Sequence, residues 1–359
     1  MDREKKPNNT LRVGLIFAVS LAVGVALLAF FLHLVGFGQI VETIRRVDIR
    51  LVLLAFVLDM LGLFLYGSCW YVLLRAAGLN IPFPTCMSIA LAGIFTCYIT
   101  PSGFFMDASR VLLASKESDI RVGDGAATVI LHKILFTLGF VTFGLLATAM
   151  LLVTRGLPQP LAVNVFAITT FVVVGIIGVA LVIVRGHRIR QYFPGLVRRV
   201  VSTLNSLSGK YYPALSSSVK GITRDFRETF VRLLRSPTAI LVSYLLSLSY
   251  WTTSVLILYV VFVALGQNVS IWVIMLTISI GDFIQMMPIA IPGMLGVIEM
   301  VTTTVLVAFG IPLGVAASAT LLARVATFWF DLPITGAAAS YYGAKYVIGL
   351  ASNISGSSD

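Results

Sequence analysis

Two uncharged, almost wholly apolar stretches, residues 13–31 and 161–184, each approach the roughly 20 residues that one bilayer crossing requires. Further runs of the same kind recur along the chain, and together they exceed what one soluble core can hide. Of the 359 residues, 58% are apolar and only 11% charged, with a mean hydropathy of +0.98. A soluble domain carries about a quarter charged residues. The chain therefore reads as an all-α integral membrane protein, a polytopic helical bundle. Its net charge of +11, from 26 Lys and Arg against 15 Asp and Glu, is in this setting a topology signal and a cue for anionic lipid, not for nucleic acid.

The apolar helices are expected at 12–36, 51–75, 83–100, 125–153, 160–186, 237–266, 269–291, 294–310 and 314–348, with an interfacial piece at 37–49 that puts Ile40, Val41, Ile44 and Val47 on one side. Behind the basic leader "MDREKKPNNTLR", the first run is longer than a signal-peptide core and shows no small-residue cleavage site, so a retained first span is expected. The chain then divides into an N-terminal tail (1–11), a first transmembrane half (12–186), a basic amphipathic loop (187–236), a second half (237–348) and a C-terminal tail (349–359). The loop carries the stripes Leu196/Val200/Leu204/Leu207 and Ile222/Phe226/Phe230/Leu233. From Arg185 to Arg235 there are eleven Lys and Arg against Asp225 and Glu228.

The positive-inside rule puts the N-terminus and this loop in the cytoplasm of a plasma-membrane protein, with the C-terminus on the same side. Four full crossings already join the tail to the loop, so segment 83–124 must enter and leave on one side. Its second limb, with Asp107, Arg110, Lys116, Glu117, Asp119, Arg121 and Asp124, is too charged for a lipid-facing span. A hairpin turning at "TPSG" fits, since irregular backbone at depth survives only when buried in protein or wetted by a cavity. Segment 269–310, broken at "IPGMLG", would form a second hairpin entering from the other face, the plan of inverted-repeat transporters. Arg45, Arg46 and Arg50 fall on the outer side in this scheme, partly offset by Glu42 and Asp48.

The two breaks match in sequence. "TPSGFFMDASRVLLAS" is followed by "GAATVILHKILFTLGF", and "IPGMLGVIEMVTTTVL" by "GVAASATLLARVATFWF". An acid follows the proline by six residues in the first (Pro101, Asp107) and seven in the second (Pro292, Glu299). A base follows by 32 residues in both, Lys133 and Arg324. Pro101, Gly103, Pro292, Gly293 and Gly296 loosen the backbone at the breaks. A lone charge in hydrocarbon costs at least ~2.5–3.5 kcal/mol. Asp107, Arg110, Lys133, Glu299 and Arg324 should therefore meet one another in a polar chamber, with the unpaired N–H groups of the half-helices suited to an anion. His132 adjoins this set. Asp59, Asp282 and Asp331 read either as ion- or proton-coupling carboxylates or as structural pairs. Cys69, Cys86 and Cys97 have no metal-ligand spacing and read as free thiols, the three histidines form no metal cluster, and no phosphate-binding glycine loop occurs, so neither metal nor cofactor is expected.

"PSGFFMDASR" resembles the Pro–x–Gly…Gly–(Glu/Asp)–x–x–Arg signature of the lysylphosphatidylglycerol synthase transmembrane family. "IAIPGMLGVIE" with the later "LLARVATFWF" resembles its second signature, Pro–Gly–Gly–x–Gly–x–x–Glu with a following Arg. The likeness runs over about residues 12–348. It departs at Met294, where the signature has glycine, at Ala290, where it has proline, and at His132–Lys133, where a Glu–Arg pair is usual. The family includes flippase modules of multiple peptide resistance factors, hopanoid-associated membrane proteins and archaeal proteins linked to dolichol-phosphate sugars. The resemblance implies a lipid-handling protein with Asp107, Arg110, Glu299 and Arg324 as its motif charges. No aminoacyltransferase domain is expected after residue 348. The function expected is flippase-like movement of an anionic lipid, phospholipid or polyprenyl-phosphate-linked sugar, between leaflets. The alternatives are a membrane-embedded lipid-modifying enzyme and a non-transporting partner of a lipid or glycan biosynthetic enzyme.

Overall fold

The computed structural model describes residues 9–45, 47–100, 104–154, 214–287, 289 and 291–355. The span expected at 160–186, the stripe beginning at Leu196, and the break residues Pro101 and Gly103 lie outside them. No strand occurs among the described residues.

The helices are α1 (Asn9–Val35), α2 (Phe37–Ile44), α3 (Ile49–Ala76), α4 (Phe83–Ile99), α5 (Phe104–Ser118), α6 (Val122–Thr154), α7 (Ala214–Leu234), α8 (Pro237–Ala264), α9 (Ile271–Gln285), α10 (Val297–Ala308), α11 (Leu313–Arg324) and α12 (Asp331–Ser355). A 3-10 turn, Pro292–Met294, precedes α10, and a π-helical turn, Val325–Trp329, joins α11 to α12. Among the described residues, five segments are long and apolar enough to cross a membrane: Ala18–Val35, α3, α6, α8 and Leu313–Tyr346. α4, α5, α9 and α10 have 17, 15, 15 and 12 residues, short of the roughly 20 that a crossing needs.

Side-chain contacts fix the directions. α3 and α8 run antiparallel: Cys69 Sγ donates to Ser243 O at 3.3 Å, Gly62 faces Thr253, and Asp48 N donates to Ala264 O at 3.3 Å. Small residues permit this approach, as membrane helix interfaces require in place of a hydrophobic drive. Gly139 does the same on α6, where an added Cβ would stand 2.5 Å from Trp251 of α8.

The end of the bundle that holds Ala77 also holds α7. Arg232 Nη1 donates to Ala77 O (2.9 Å), and Arg121 at the start of α6 pairs with Asp225 at 3.0 Å. Glu117, ending α5, binds Lys345 of α12 there at 2.6 Å. The hairpin α4–α5 thus begins and ends at this α7 end. α9 starts at the opposite end, because Ser279 meets Phe140 (3.1 Å) and Met286 meets Thr137, which sets it antiparallel to α6. α10 returns alongside it, with Thr302 opposite Gly281. The two hairpins are therefore inversely oriented.

Their tips touch. Tyr98, in the last turn of α4, stacks edge-on against Phe328 of the π turn, with ring centroids 4.9 Å apart. Gly293 approaches the same ring so closely that a Cβ would stand 2.5 Å from it. Gly293 (φ 58) and Gly296 (φ 79) adopt the left-handed region that glycine alone enters at little cost. α1 lies over this break, with Leu27 at 2.5 Å from a Cβ placed on Gly296.

Three local expectations change. The helix expected to reach residue 291 ends at Gln285, ahead of Pro288, which has no N–H to give. The amphipathic segment 214–234, expected as part of a loop, is a helix whose apolar stripe is packed: Phe230 and Leu233 are buried against Leu73, Leu131 and Leu135. Ile40 of α2 is likewise buried, beside Phe31 and Ala317.

Candidate functional site

Asp107 sits in the first turn of α5 and Glu299 in the first turn of α10, each just past its break. A carboxylate is favoured there by the positive end of the half-helix. Each half-helix thus carries its own counter-charge where the sequence suggested room for an anionic ligand.

Around Asp107, Lys133 Nζ lies 2.6 Å from Oδ2 and Arg110 Nη1 4.0 Å from Oδ1. Arg110 is 0% exposed. Its Nη1 donates to Tyr66 Oη at 2.9 Å, and its guanidinium lies 4.2 Å from the Trp70 ring centroid, a cation–π contact. Tyr66 and Trp70 are one turn apart on α3, so one helix face supplies the whole seat. Gly93 of α4 makes the space: a Cβ there would stand 2.6 Å from Arg110 Cγ. His132 Nδ1 lies 3.4 Å from Arg110 Nη1, and Nε2 3.2 Å from Tyr66 O. A guanidinium only donates, so Nδ1 accepts and Nε2 carries the proton; this tautomer is assigned from its partners. Lys133, next along α6, points outward and is 48% exposed at its side chain.

Around Glu299, Arg324 Nε donates to Oε1 at 2.8 Å, and Nη2 donates to Gly293 O at 2.8 Å. The base of the second half therefore ties the helix to the carbonyl of its own break. Arg324 also lies 4.4 Å from the Phe328 ring centroid.

The five charges do not form one cluster. Asp107, Arg110 and Lys133 assemble with His132 in the first half, and Glu299 with Arg324 in the second; among the described residues no ion pair joins the two sets. Each base meets an acid within its own half, so desolvation is offset locally. The ring of Phe328, touched by Tyr98, Gly293 and Arg324, joins the end of α4 to the second pair.

The three further aspartates also separate. Asp59 of α3 and Asp331 of α12 are both buried where these helices meet, the Phe56 and Phe330 rings packing there with centroids 4.5 Å apart. Asp282 Oδ1 accepts from Gln285 Nε2 at 3.0 Å on its own helix. An uninterrupted α-helix would put Asp331 on the face of Arg324. The π turn, with Phe330 N donating to Val325 O, adds about one residue of rotation. Arg324 then serves α10 while Asp331 serves α3. Tyr66, Trp70, Tyr98 and Phe328 were not singled out by sequence, where aromatics on an apolar helix look like packing. The fourfold spacing of Tyr66 and Trp70 was the one available signal.

A family model of the lysylphosphatidylglycerol synthase transmembrane region matches residues 17–334, nearly the whole span from the first helix to the start of α12. The chain belongs to this family. Similar relatives include a UPF0104 membrane protein of Pyrococcus horikoshii, 25% identical over 88% of this chain and 93% of that protein. Another, from Methanothermobacter thermautotrophicus, is 25% identical over 91% of this chain and 96% of its own. One from Archaeoglobus fulgidus is 28% identical over 63% and 67%.

Proposed function

We propose that this protein moves an anionic lipid, a phospholipid or a polyprenyl-phosphate-linked sugar, between the leaflets of the plasma membrane, with both termini and α7 on the cytoplasmic side. Its partners in this reading are membrane lipids with anionic headgroups. One observation carries it. Two cations, the buried Arg110 on α5 and the half-exposed Lys133 on α6, stand against one carboxylate, Asp107, while the second pair is balanced. Arg110 Nε and Nη2 have no hydrogen-bond partner among the described residues despite complete burial. A buried positive excess costs several kcal/mol unless something anionic offsets it. Guanidinium and ammonium side by side suit a phosphate, the first as a fork and the second as a point charge.

In this reading the headgroup engages Lys133 from the membrane side, competes with Asp107 for it, and passes the hairpin tips at Phe328 while the tails stay in lipid. Arg324 and Glu299 hold the second tip in shape. The test is leaflet exchange in reconstituted vesicles over a panel of anionic lipids, comparing wild type with Arg110→Ala and Arg324→Ala. Wild type should accelerate exchange of at least one anionic lipid, and both variants should lose most of that acceleration. Equal rates for wild type, variants and protein-free vesicles would remove the reading.

A further inference from the structure

Donors are scarce around Asp331. Its Oδ2 lies 2.9 Å from the Tyr98 hydroxyl, and that hydroxyl also lies 3.2 Å from Thr327 O in the π turn. The Thr327 carbonyl can only accept, so when the single phenol proton goes to it the Asp331 contact needs a proton on Asp331. Asp59 and Asp331 sit on helices that meet where the Phe56 and Phe330 rings pack with centroids 4.5 Å apart, and Asp59 Oδ2 and Asp331 Oδ1 are buried with no hydrogen-bond partner among the described residues. The residues themselves are 8% and 3% exposed. Two carboxylates have nothing to donate, and a hydrogen bond between them requires a proton on one.

Among the described residues the surroundings supply no cation. From α4 the pair faces Tyr98 and from α8 Tyr250, which also feels Tyr66 of α3 and Asp282 of α9. Among the described residues neither carboxyl is in a salt bridge, and Arg324, seven residues before Asp331, is committed to Glu299 and Gly293. The position matters as much as the chemistry. Asp59 belongs to the long crossing helix α3, Asp331 opens α12 directly after the π turn, and Tyr98 is the tip of the first hairpin.

We propose that Asp59 and Asp331 form a proton-binding site whose shared proton fastens α3 to the π-turn end of α12 and so couples the contact between hairpin tips to a proton gradient. This rests on the transport reading for its consequence, though not for the site. When the proton leaves to water, two like charges face each other in a low-dielectric setting and push α3 from α12. The Tyr98–Phe328 contact sits on the same turn and loosens with them. Proton return restores the bridge. Lipid passage and proton passage then alternate through one joint.

Two measurements on the purified full chain test this. Infrared spectroscopy reads the carbonyl stretch of protonated carboxylic acids in wild type, Asp59→Asn, Asp331→Asn and the double variant. A shared proton predicts the same loss of band in either single variant and no further loss in the double. No loss, or losses that add, would overturn the site. The second measurement follows fluorescent phosphatidylglycerol in phosphatidylcholine–phosphatidylglycerol vesicles under an imposed gradient of about one pH unit, worth a factor of ~10 for one coupled proton. Wild type should drive the probe towards an unequal leaflet distribution of up to about that factor. Each asparagine variant should reach only equal distribution. Equal distribution in wild type would overturn the coupling. A wild type that moves no probe at all would overturn the coupling for this lipid and leave the transport reading to the panel of anionic lipids, while the infrared result still decides the proton site.

Discussion

Arg110 is a guanidinium without solvent, seated between an indole, a phenol and an imidazole, and its place depends on a missing side chain. Gly93 leaves the groove that its stem fills. Gly93→Ala would put a Cβ 2.6 Å from Cγ and 3.0 Å from Cδ, in the middle of the stem where no rotamer change at the tip gives relief. Overpacking of this kind costs about 1–3 kcal/mol. Thermal unfolding in detergent should show Gly93→Ala destabilised by that amount and Gly38→Ala, where nothing lies within 4 Å, close to wild type. Such a requirement has no mark in the sequence, since Gly93 sits in "LAGIF" like any small residue of a membrane helix. Tyr66 and Trp70 were equally silent. Their role comes from α5 folding back to bring Arg110 against α3, a tertiary fact. The motif charges themselves were legible because hydrocarbon makes every ionised side chain conspicuous.

Among the elements, the hairpin α4–α5 is fastened at its open end by a small polar clasp. Glu117 accepts from Lys345 Nζ (2.6 Å) and from Tyr346 Oη (2.7 Å), and Lys116 lies 4.4 Å from the Tyr346 ring centroid. Burial raises the Glu117 carboxyl, but the hydrogen bonds from Lys345 and Tyr346 outweigh it and leave it below its usual range. A carboxyl held lower in the native state stabilises that state fully above its unfolded value, near 4.3, and the contribution fades as pH falls through the native value. A spin-label distance between Ser118 and Ala344 should therefore stay short at neutral pH and lengthen on acidification below about pH 4. Glu117→Gln should lengthen it at every pH. Element bounds were readable where apolar runs end in polar residues: 51–75 became Ile49–Ala76 and 237–266 became Pro237–Ala264. The π turn was not, because one extra residue in a helical turn leaves the composition unchanged. With it went the separation of Arg324 from Asp331, and hence the pairing of Asp331 with Asp59.

For the whole molecule, inverse hairpins dictate which ends face which side. Cysteines placed at Ser118 and Arg224 should react with an impermeant label from one face of a sealed vesicle, and one at Gln267 only from the other. Reaction of Ser118 and Gln267 from the same face would break the topology. The two-fold plan was legible because both breaks put an acid six or seven residues after the proline and a base 32 residues after it. The single chamber imagined from that repeat was not what the chain builds, since each base is nearest to the acid of its own half. What remains for transport is the unbalanced charge beside the first tip. The most direct measurement is the exchange rate of two fluorescent lipids with identical chains, one anionic and one zwitterionic, by wild type and by Lys133→Gln. Losing a charge-assisted contact of ~1.5–3 kcal/mol corresponds to about 10–100-fold in rate. Wild type should favour the anionic lipid, and Lys133→Gln should lose that preference by roughly this factor while staying folded. Equal rates for both lipids with wild type, unchanged in the variant, would contradict the claim that this unbalanced positive charge selects an anionic headgroup.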